Sequence, residues 1–138
     1  MRLSPHLQFN GTCQAAFGFY EKALGGKITF SMTYGESPAA AQVDPAWHSK
    51  IIHSTFTLGD QSFSGADAWG QHYRTPQGFS VSLDIQDPAE ADRVFRALAE
   101  NAAIEMPIQE TFWAQRFAML VDQFGIPWMV NCSKTPVL

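Results

Sequence analysis

The sequence is poor in charge, and above all in positive charge. Charged residues make up 16% of the chain and the formal net charge is −4, whereas a surface that binds nucleic acid or anionic lipid needs an excess of lysine and arginine. Long apolar runs are also missing, since no stretch approaches the roughly 18 residues that a membrane-spanning helix needs. The sequence therefore predicts no nucleic-acid partner and no membrane partner.

Cysteine is scarce as well. The two cysteines, Cys13 and Cys132, lie far apart and form no metal-binding motif. Met1–Leu3 lead directly into strand-like sequence, without the apolar stretch of a secretory signal. We therefore expect a cytoplasmic protein with reduced thiols, and a bridge between the two cysteines is the alternative that the sequence leaves open.

Apolar and aromatic residues, by contrast, are abundant. Hydrophobic residues make up 46% of the 138 residues and aromatic residues 13%, which is typical of a folded protein and not of a disordered one. A chain of this length buries a sizeable core. We expect a single globular domain spanning residues 1–138.

Two segments of the chain repeat one pattern. Phe9–Ile28 aligns without a gap with Ile85–Ile104, and each segment is typical of strand, helix and strand in succession. Apolar residues recur at helical spacing in both, and Asp87 is a strong N-cap candidate for the second helix. The sequence predicts helices near Thr12–Leu24 and Asp87–Glu100.

Three strand-like segments follow each predicted helix. They are Lys27–Tyr34, Lys50–Leu58 and Gln61–Ala66 in the first half, and Ala103–Ile108, Phe117–Val121 and Trp128–Cys132 in the second. Short turns at Gly59-Asp60 and at Asp122–Gly125 predict hairpins between the last two strands of each half. The prediction is an α+β fold of two βαβββ modules, residues 1–68 and 76–138.

Alternation along the strands sorts the side chains of each module into two faces. A two-residue turn at Gly59 and Asp60 pairs Phe56 with Phe63, and both then face the helix. The opposite face is polar and rich in hydroxyl groups: its members are His6, His53, Thr55, Ser62 and Ser64 in the first module, and Ser80 and Ser82 in the second. Two such sheets side by side would curl into an open β-cup with a polar interior.

The block Glu110–Asn131 concentrates aromatic residues around a few polar ones. Trp113 lies between Glu110 and Arg116 in a predicted loop, Pro107–Gln115, that is long enough to act as a lid. One interpretation is a ligand-binding lid, in which Arg116 holds an anionic group through its planar guanidinium. The other is a structural ion pair between Glu110 and Arg116 that fixes the loop.

Two histidines lie on the predicted polar face of the first module. His6 and His53 would serve there as a general base, a proton donor or part of a displaced metal site. The alternative is a hydrogen-bonded histidine in the cavity without a chemical role, and it is favoured because spacing alone is weak evidence for chemistry. His48 and His72 fall in predicted loops. Asp67, at the end of a strand, is expected to cap, and a role in binding is the alternative.

Six stretches spread over nearly the whole chain carry a family resemblance. They are Pro5–Gly11, Phe19–Gly26, Leu58–Asp60, Gly78–Leu83, Asp87–Ala91 and the block Glu110–Asn131. In these stretches the chain resembles the PhnB-like branch of the glyoxalase/bleomycin-resistance, or vicinal oxygen chelate, superfamily. The resemblance implies paired βαβββ modules, an open β-cup and a homodimer. The aromatic residues Trp69 and Tyr73 lie in a predicted loop, where they would either close over a ligand or fill a dimer contact.

The resemblance also implies four inward strand positions that hold a divalent metal in the superfamily's enzymes. In this chain those positions fall near Ser4, Ser64, Ser80 and Met129. Seryl oxygens and a thioether are poor ligands for Zn, Ni, Fe or Mn, which take imidazole and carboxylate. We therefore expect no bound metal and no other cofactor.

Three classes of function follow. The favoured prediction is a protein that binds a small organic molecule, as the superfamily's antibiotic-binding members do. Whether it also transforms that molecule is left open. The predicted ligand-binding residues are His53, Ser64, Ser80, Ser82, Glu110, Trp113, Arg116 and Asn131, the last of which follows Met129 by two residues on one strand face. No catalytic residue is assigned. The alternatives are a metal-dependent lyase, isomerase or dioxygenase, and a methyltransferase, whose label the family often carries although the chain has no Gly-rich nucleotide loop after its first strand.

Overall fold

The structure is a computed structural model that describes residues 1–135. The chain divides into two compact units, unit 1 at Met1–Arg74 and unit 2 at Thr75–Leu138. Within the described residues no helix is both long and apolar enough to cross a membrane.

Unit 1 has one helix and one four-stranded sheet. Its elements are β1 (His6–Phe9), α1 (Cys13–Leu24), β2 (Lys27–Thr33), β3 (Ile51–Leu58) and β4 (Gln61–Asp67). The strand order is β1-β4-β3-β2, with β1 parallel to β4 and the other pairs antiparallel. Three short 3₁₀ turns, Ala40–Gln42, Pro45–Trp47 and Gly70–His72, lie in the connections.

Unit 2 repeats this arrangement. Its elements are β5 (Val81–Asp84), α2 (Pro88–Leu98), β6 (Ala103–Gln109), β7 (Ala114–Val121) and β8 (Pro127–Ser133). The strand order is β5-β8-β7-β6, and β5 is parallel to β8. The predicted α+β fold of two βαβββ modules is therefore confirmed.

The core of unit 1 is an aromatic cluster between α1 and its sheet. The ring of Phe17 meets those of Phe9 and Phe63 edge-on at centroid distances of 5.9 and 5.5 Å. Phe56 pairs with Phe63 across the hairpin, as the turn at Gly59 predicts, and these rings stack at 4.9 Å. Burying such side chains stabilises the unit by roughly 1.5–3 kcal/mol each.

Asp67 ties α1 to the end of its sheet. The buried carboxylate accepts hydrogen bonds from the backbone N–H of Cys13, the first residue of α1, and from that of Ile51, each at 2.9 Å. Orphan N–H groups at a helix start are commonly satisfied by such carboxylates. The expected capping role of Asp67 is thus confirmed, across 54 residues of sequence.

The core of unit 2 lies between α2 and the central strands β7 and β8. The helix starts at the N-cap Asp87, whose carboxylate accepts from the N–H of Ala89, and it buries Val94, Phe95 and Leu98. The hairpin turn is held by the buried Asp122, whose carboxylate accepts from the indole N–H of Trp128 at 2.8 Å and from the N–H of Ile126 at 3.0 Å.

Candidate functional site

Each sheet packs one face on its helix, and most of the candidate site residues belong to the opposite face, here called the far face. In unit 1, His6, Ser64, Thr55 and Phe30 are register partners across all four strands of the sheet. Met32 is the register partner of His53 in the neighbouring row. The far face of unit 1 is therefore polar at its centre, as alternation predicts, and more apolar along β2.

His6 and His53 form a pair on this face. Their rings are nearly parallel, with centroids 6.1 Å apart and an angle of 16° between the planes. His6 Nδ1 lies 2.7 Å from Ser64 Oγ, while His53 Nε2 lies 3.5 Å from Thr55 Oγ1. Burial, and then the neighbouring His53 ring, lower the pKa of His6, so that ring is neutral at pH 7. The structure thus brings His53 and Ser64 together through His6.

The far face of unit 2 carries a row that sequence reasoning missed. Ser82, Met129, Met119 and Met106 are register partners across β5, β8, β7 and β6. We call these four register partners the methionine row, since they include three of the five methionines in the chain. The expectation of a hydroxyl-rich second face is therefore wrong for unit 2, because Ser82 is joined there by three thioethers.

Two cavities lie along this face of unit 2. The larger, about 490 Å³, is lined among others by Ser80, Met119 and Met129. The smaller, about 340 Å³, is lined by Asp84, Gln115, Asn131, Ser133 and Lys134 together with three further residues. Because both lie along strands that carry the methionine row, the predicted candidates Ser80 and Asn131 each border a space that could hold a small molecule.

Asn131 is held firmly by one end of its amide. Its Nδ2 donates to Asp84 Oδ1 at 3.2 Å and to Ser133 Oγ at 3.0 Å. The carboxylate of Asp84 requires a donor opposite it, which fixes the orientation of the amide. Asn131 Oδ1 is shielded from bulk water and has no hydrogen-bond partner among residues 1–135. An acceptor left in this state costs about 1–3 kcal/mol.

The predicted lid is shorter than expected. β6 continues to Gln109 and β7 begins at Ala114, so the connection is only Glu110–Trp113 and not Pro107–Gln115. Within it, Glu110 Oε2 lies 3.0 Å from Lys134 Nζ. Glu110 therefore stands next to a cation that lines the smaller cavity.

Arg116 lies on the opposite side of the sheet from the other candidates. It is the register partner of Cys132, which is buried, and its Nε donates to Asp92 Oδ1 on α2 at 2.7 Å. The expected Glu110–Arg116 ion pair is wrong for this reason. The register of β7 is regular from Arg116 to Val121, so Arg116 shares the helix side of the sheet with Ala118 and Leu120.

Trp113 extends the far face of unit 2. It is 41% exposed and its neighbour Phe112 is 89% exposed. The ring of Trp113 meets that of Phe117 at 5.1 Å, and Phe117 is the register partner of Asn131. The structure thus places Trp113, Ser82 and Asn131 on one surface, with an aromatic ring exposed at its end.

The positions at which the resemblance implies a metal do not suit one. Ser4 Oγ donates to the carbonyl of Ser62, Ser64 is bonded to His6, and in unit 2 the positions are Ser80 and Met129. These donors do not match the imidazole and carboxylate set that Zn, Ni, Fe or Mn takes. Across residues 1–135 no three His, Cys, Asp or Glu side chains are grouped so as to hold a metal ion.

Both cysteines are free and buried, so the alternative of a bridge between Cys13 and Cys132 is wrong. Burial, and then the nearby Asp67 carboxylate, raise the pKa of the Cys13 thiol. Such a thiol stays protonated and is a poor nucleophile. Neither cysteine belongs to the candidate site.

The comparisons with known proteins fit this geometry. The family model described as 3-demethylubiquinone-9 3-methyltransferase matches residues 1–131. Protein YjdN of Escherichia coli strain K12 is 36% identical over 143 residues, with 97% of each chain covered. The chain therefore belongs to this family, the PhnB-like family.

Solved structures show the same relationship. Protein PA1353 from Pseudomonas aeruginosa is 38% identical, with a TM-score of 0.85 over 96% of this chain and 98% of that one. A putative 3-demethylubiquinone-9 3-methyltransferase, PhnB protein, from Bacillus cereus is 26% identical, with a TM-score of 0.81 over 96% and 100%. A glyoxalase/bleomycin resistance protein/dioxygenase family enzyme from Burkholderia phytofirmans PsJN shares the fold, at 14% identity and a TM-score of 0.63 over 93% and 94%.

Proposed function

We propose that the protein binds a small, partly aromatic organic molecule, and that the far face of unit 2 is a principal binding surface. The methionine row carries this proposal. Met129, Met119 and Met106 bring three flexible thioethers into adjacent register, and methionine side chains adapt to irregular ligands and make favourable contacts with aromatic rings.

The surroundings of the row support a ligand that is apolar in its body and polar at its edges. Trp113 offers an exposed ring for stacking. Ser82, at the end of the row, is exposed to solvent. Asn131 supplies a directional amide next to the smaller cavity. Few polar groups around a mainly apolar surface are typical of small-molecule sites.

The other predicted candidates contribute in different ways. His53 and Ser64, joined through His6, supply a second polar surface in unit 1. Ser80 lines the larger cavity, and Glu110 acts through Lys134. Arg116 is not proposed as a contact, because its guanidinium is held by Asp92 on the helix side.

We propose binding and not methyl transfer or metal-dependent chemistry. The description of the family model includes the word methyltransferase. The segment after β1, however, does not form the Gly-rich loop that cradles a nucleotide cofactor. Metal-dependent lyase, isomerase or dioxygenase chemistry would need donors that Ser80 and Met129 do not provide. Membership of a fold family does not itself assign an activity.

The test is a thermal-shift screen of aromatic metabolites, followed by titration of each hit with the wild type and three variants. Met119→Gln places an amide of similar length in the row, and Trp113→Ala removes the stacking ring. Each is expected to weaken binding by about tenfold, which corresponds to about 1.4 kcal/mol.

Met32→Gln is the matched control, since it makes the same substitution on the far face of unit 1. It is expected to leave the affinity of an aromatic hit unchanged. Equal affinity in wild type, Met119→Gln and Trp113→Ala would show that the methionine row is not the binding surface.

A further inference from the structure

We propose that the smaller cavity of unit 2 takes a small aliphatic molecule with a primary ammonium group, held between the Asp84 carboxylate and the Asn131 amide oxygen. The inference rests on the proposed function, because it assigns a chemical class to ligands at one end of the same face. Three observations support it: the charges in the cavity wall, the hydrogen-bond acceptors that remain in it, and one apolar side chain.

The first argument is charge. Two charged side chains line the smaller cavity, Asp84 and Lys134. Lys134 Nζ is already paired with Glu110 Oε2 at 3.0 Å. Asp84 forms no ion pair with any residue in the described range 1–135, and its carboxylate accepts a hydrogen bond from the neutral amide of Asn131. The unbalanced charge in the wall is therefore negative, which favours a cationic ligand.

The second argument is the kind of polar group that remains available. Asn131 Nδ2 is occupied by Asp84 and Ser133, whereas Asn131 Oδ1 has no partner in the described chain. Gln115 likewise donates its Nε2 to the carbonyl of Ser133 at 3.2 Å, which leaves its amide oxygen to accept. The amide oxygens of Asn131 and Gln115 thus remain as acceptors beside the Asp84 carboxylate, and an ammonium group brings three donors to such a set.

Asn131 Oδ1 is covered in the present arrangement, so a ligand reaches it only after the atoms that cover it move aside, while Nδ2 keeps its bonds to Asp84 and Ser133. The neighbouring Asp84 carboxylate is exposed and provides the first contact. Ile85, which also lines the cavity, offers an apolar surface to a short methylene chain. A cavity of about 340 Å³ accommodates a chain of a few carbons with a polar group at each end.

An anionic ligand is the competing interpretation, since Lys134 is present. It would compete with Glu110 for Lys134, and it would bring a second negative charge close to Asp84. Both effects oppose binding. The ammonium-bearing ligand avoids both.

The experiment compares three four-carbon probes of different charge by calorimetric titration at low ionic strength: putrescine, 1,4-butanediol and succinate. Putrescine is expected to bind at least tenfold more tightly than the other two. Asp84→Asn, which keeps the shape and the acceptor for Asn131, is expected to weaken putrescine about tenfold. Asp60→Asn, at the exposed β3–β4 turn of unit 1, is the matched control and should leave it unchanged.

Lys134→Met provides an independent variant, because residue 134 is exposed near the end of the described chain. It removes the cation from the wall and frees Glu110. Putrescine should therefore bind more tightly than to the wild type, and the affinity for succinate should not rise. Tighter succinate than putrescine, unchanged putrescine affinity in Asp84→Asn, or no binding of putrescine to wild type would each overturn the inference. If aromatic metabolites still bind through Met119 and Trp113 in any of these cases, the proposed function stands without it.

Discussion

Single side chains decide which surfaces of this protein are available for chemistry. Asp67 and Asp122 are buried carboxylates. Both oxygens of each accept hydrogen bonds from backbone or indole N–H groups. They stabilise a helix start and a turn, and they offer nothing to a ligand. His6, by contrast, has one ring nitrogen bonded to Ser64 and its ring beside His53 on an exposed surface.

The lowered pKa of His6 predicts a pH dependence of stability. Because the folded-state pKa lies below the ordinary value of 6.5, the unfolded chain binds a proton at His6 before the folded chain does. The free energy of unfolding should therefore fall as the pH drops below about 6.5 and stop falling, for this group, below the folded-state pKa. Above that window His6 has no effect.

Urea denaturation at a series of pH values between 7.5 and 5 checks this. His6→Gln removes the titrating group, so its free energy of unfolding should decline less with falling pH than that of the wild type. His72→Gln, in an exposed turn, controls for the substitution itself. The same decline in His6→Gln and wild type would show that the pH dependence has another source.

A site residue could be placed from the sequence where its strand was recognised. His6, Ser64 and Ser82 lie on the face that alternation predicts for them. Arg116 precedes the predicted strand Phe117–Val121, so it was read with the lid, whereas it lies in β7 and pairs with Cys132 on the helix side. Asp92, the residue that holds Arg116, is 24 residues away, and nothing in the local sequence links the two.

Helices and hairpins were predictable because their signals are local. The two predicted helices match α1 and α2 to within two residues at each end, since Asp87 and Gly25 mark termini by their own chemistry. The methionine row was not predictable, because Met106, Met119 and Met129 come from three strands whose mutual register only the fold defines. The lid was overestimated because β6 and β7 extend further than their apolar patterns.

The packing of α1 on its sheet predicts opposite effects for two glycines. A Cβ at Gly65 in β4 would lie 2.7 Å from the Phe17 ring and 3.1 Å from the carbonyl of Leu7. Gly65→Ala should therefore lower the free energy of unfolding by about 1–3 kcal/mol. At Gly18, inside α1, a Cβ meets no atom within 4 Å, and Gly18→Ala should raise it by about 0.5–1 kcal/mol.

Urea denaturation of both variants measures these changes. Gly18→Ala serves as the matched control, because it is the same substitution in an element of the same unit. If the two variants change stability in the same direction, the close approach of α1 to β4 at Gly65 is not what limits the side chain there.

For the protein as an assembly, we propose a homodimer located in the cytoplasm. The resemblance implies the dimer, and exposed apolar side chains such as Phe112, Phe79 and Ile104 give it candidate contacts. Trp69, expected to contribute from a loop, instead stacks on Tyr34 at 5.5 Å and meets Trp47. The aromatic contacts of Trp69 therefore lie within unit 1.

Sedimentation velocity over a dilution series at micromolar concentrations is expected to show a species with the mass of two chains. Phe112→Ser removes a large exposed ring. If the Glu110–Trp113 connection belongs to the dimer interface, the dimer of this variant should dissociate at a higher protein concentration than that of the wild type. A single-chain mass throughout the series would contradict the homodimer.

The matching rows on the two far faces show where this architecture tolerates difference. His6, Ser64, Thr55 and Phe30 occupy in unit 1 the strands that Ser82, Met129, Met119 and Met106 occupy in unit 2. The helix-packing face of each unit must be apolar, because the unit buries its core there. The far face carries no such requirement, so one topology presents imidazole and hydroxyl groups in one unit and thioethers in the other.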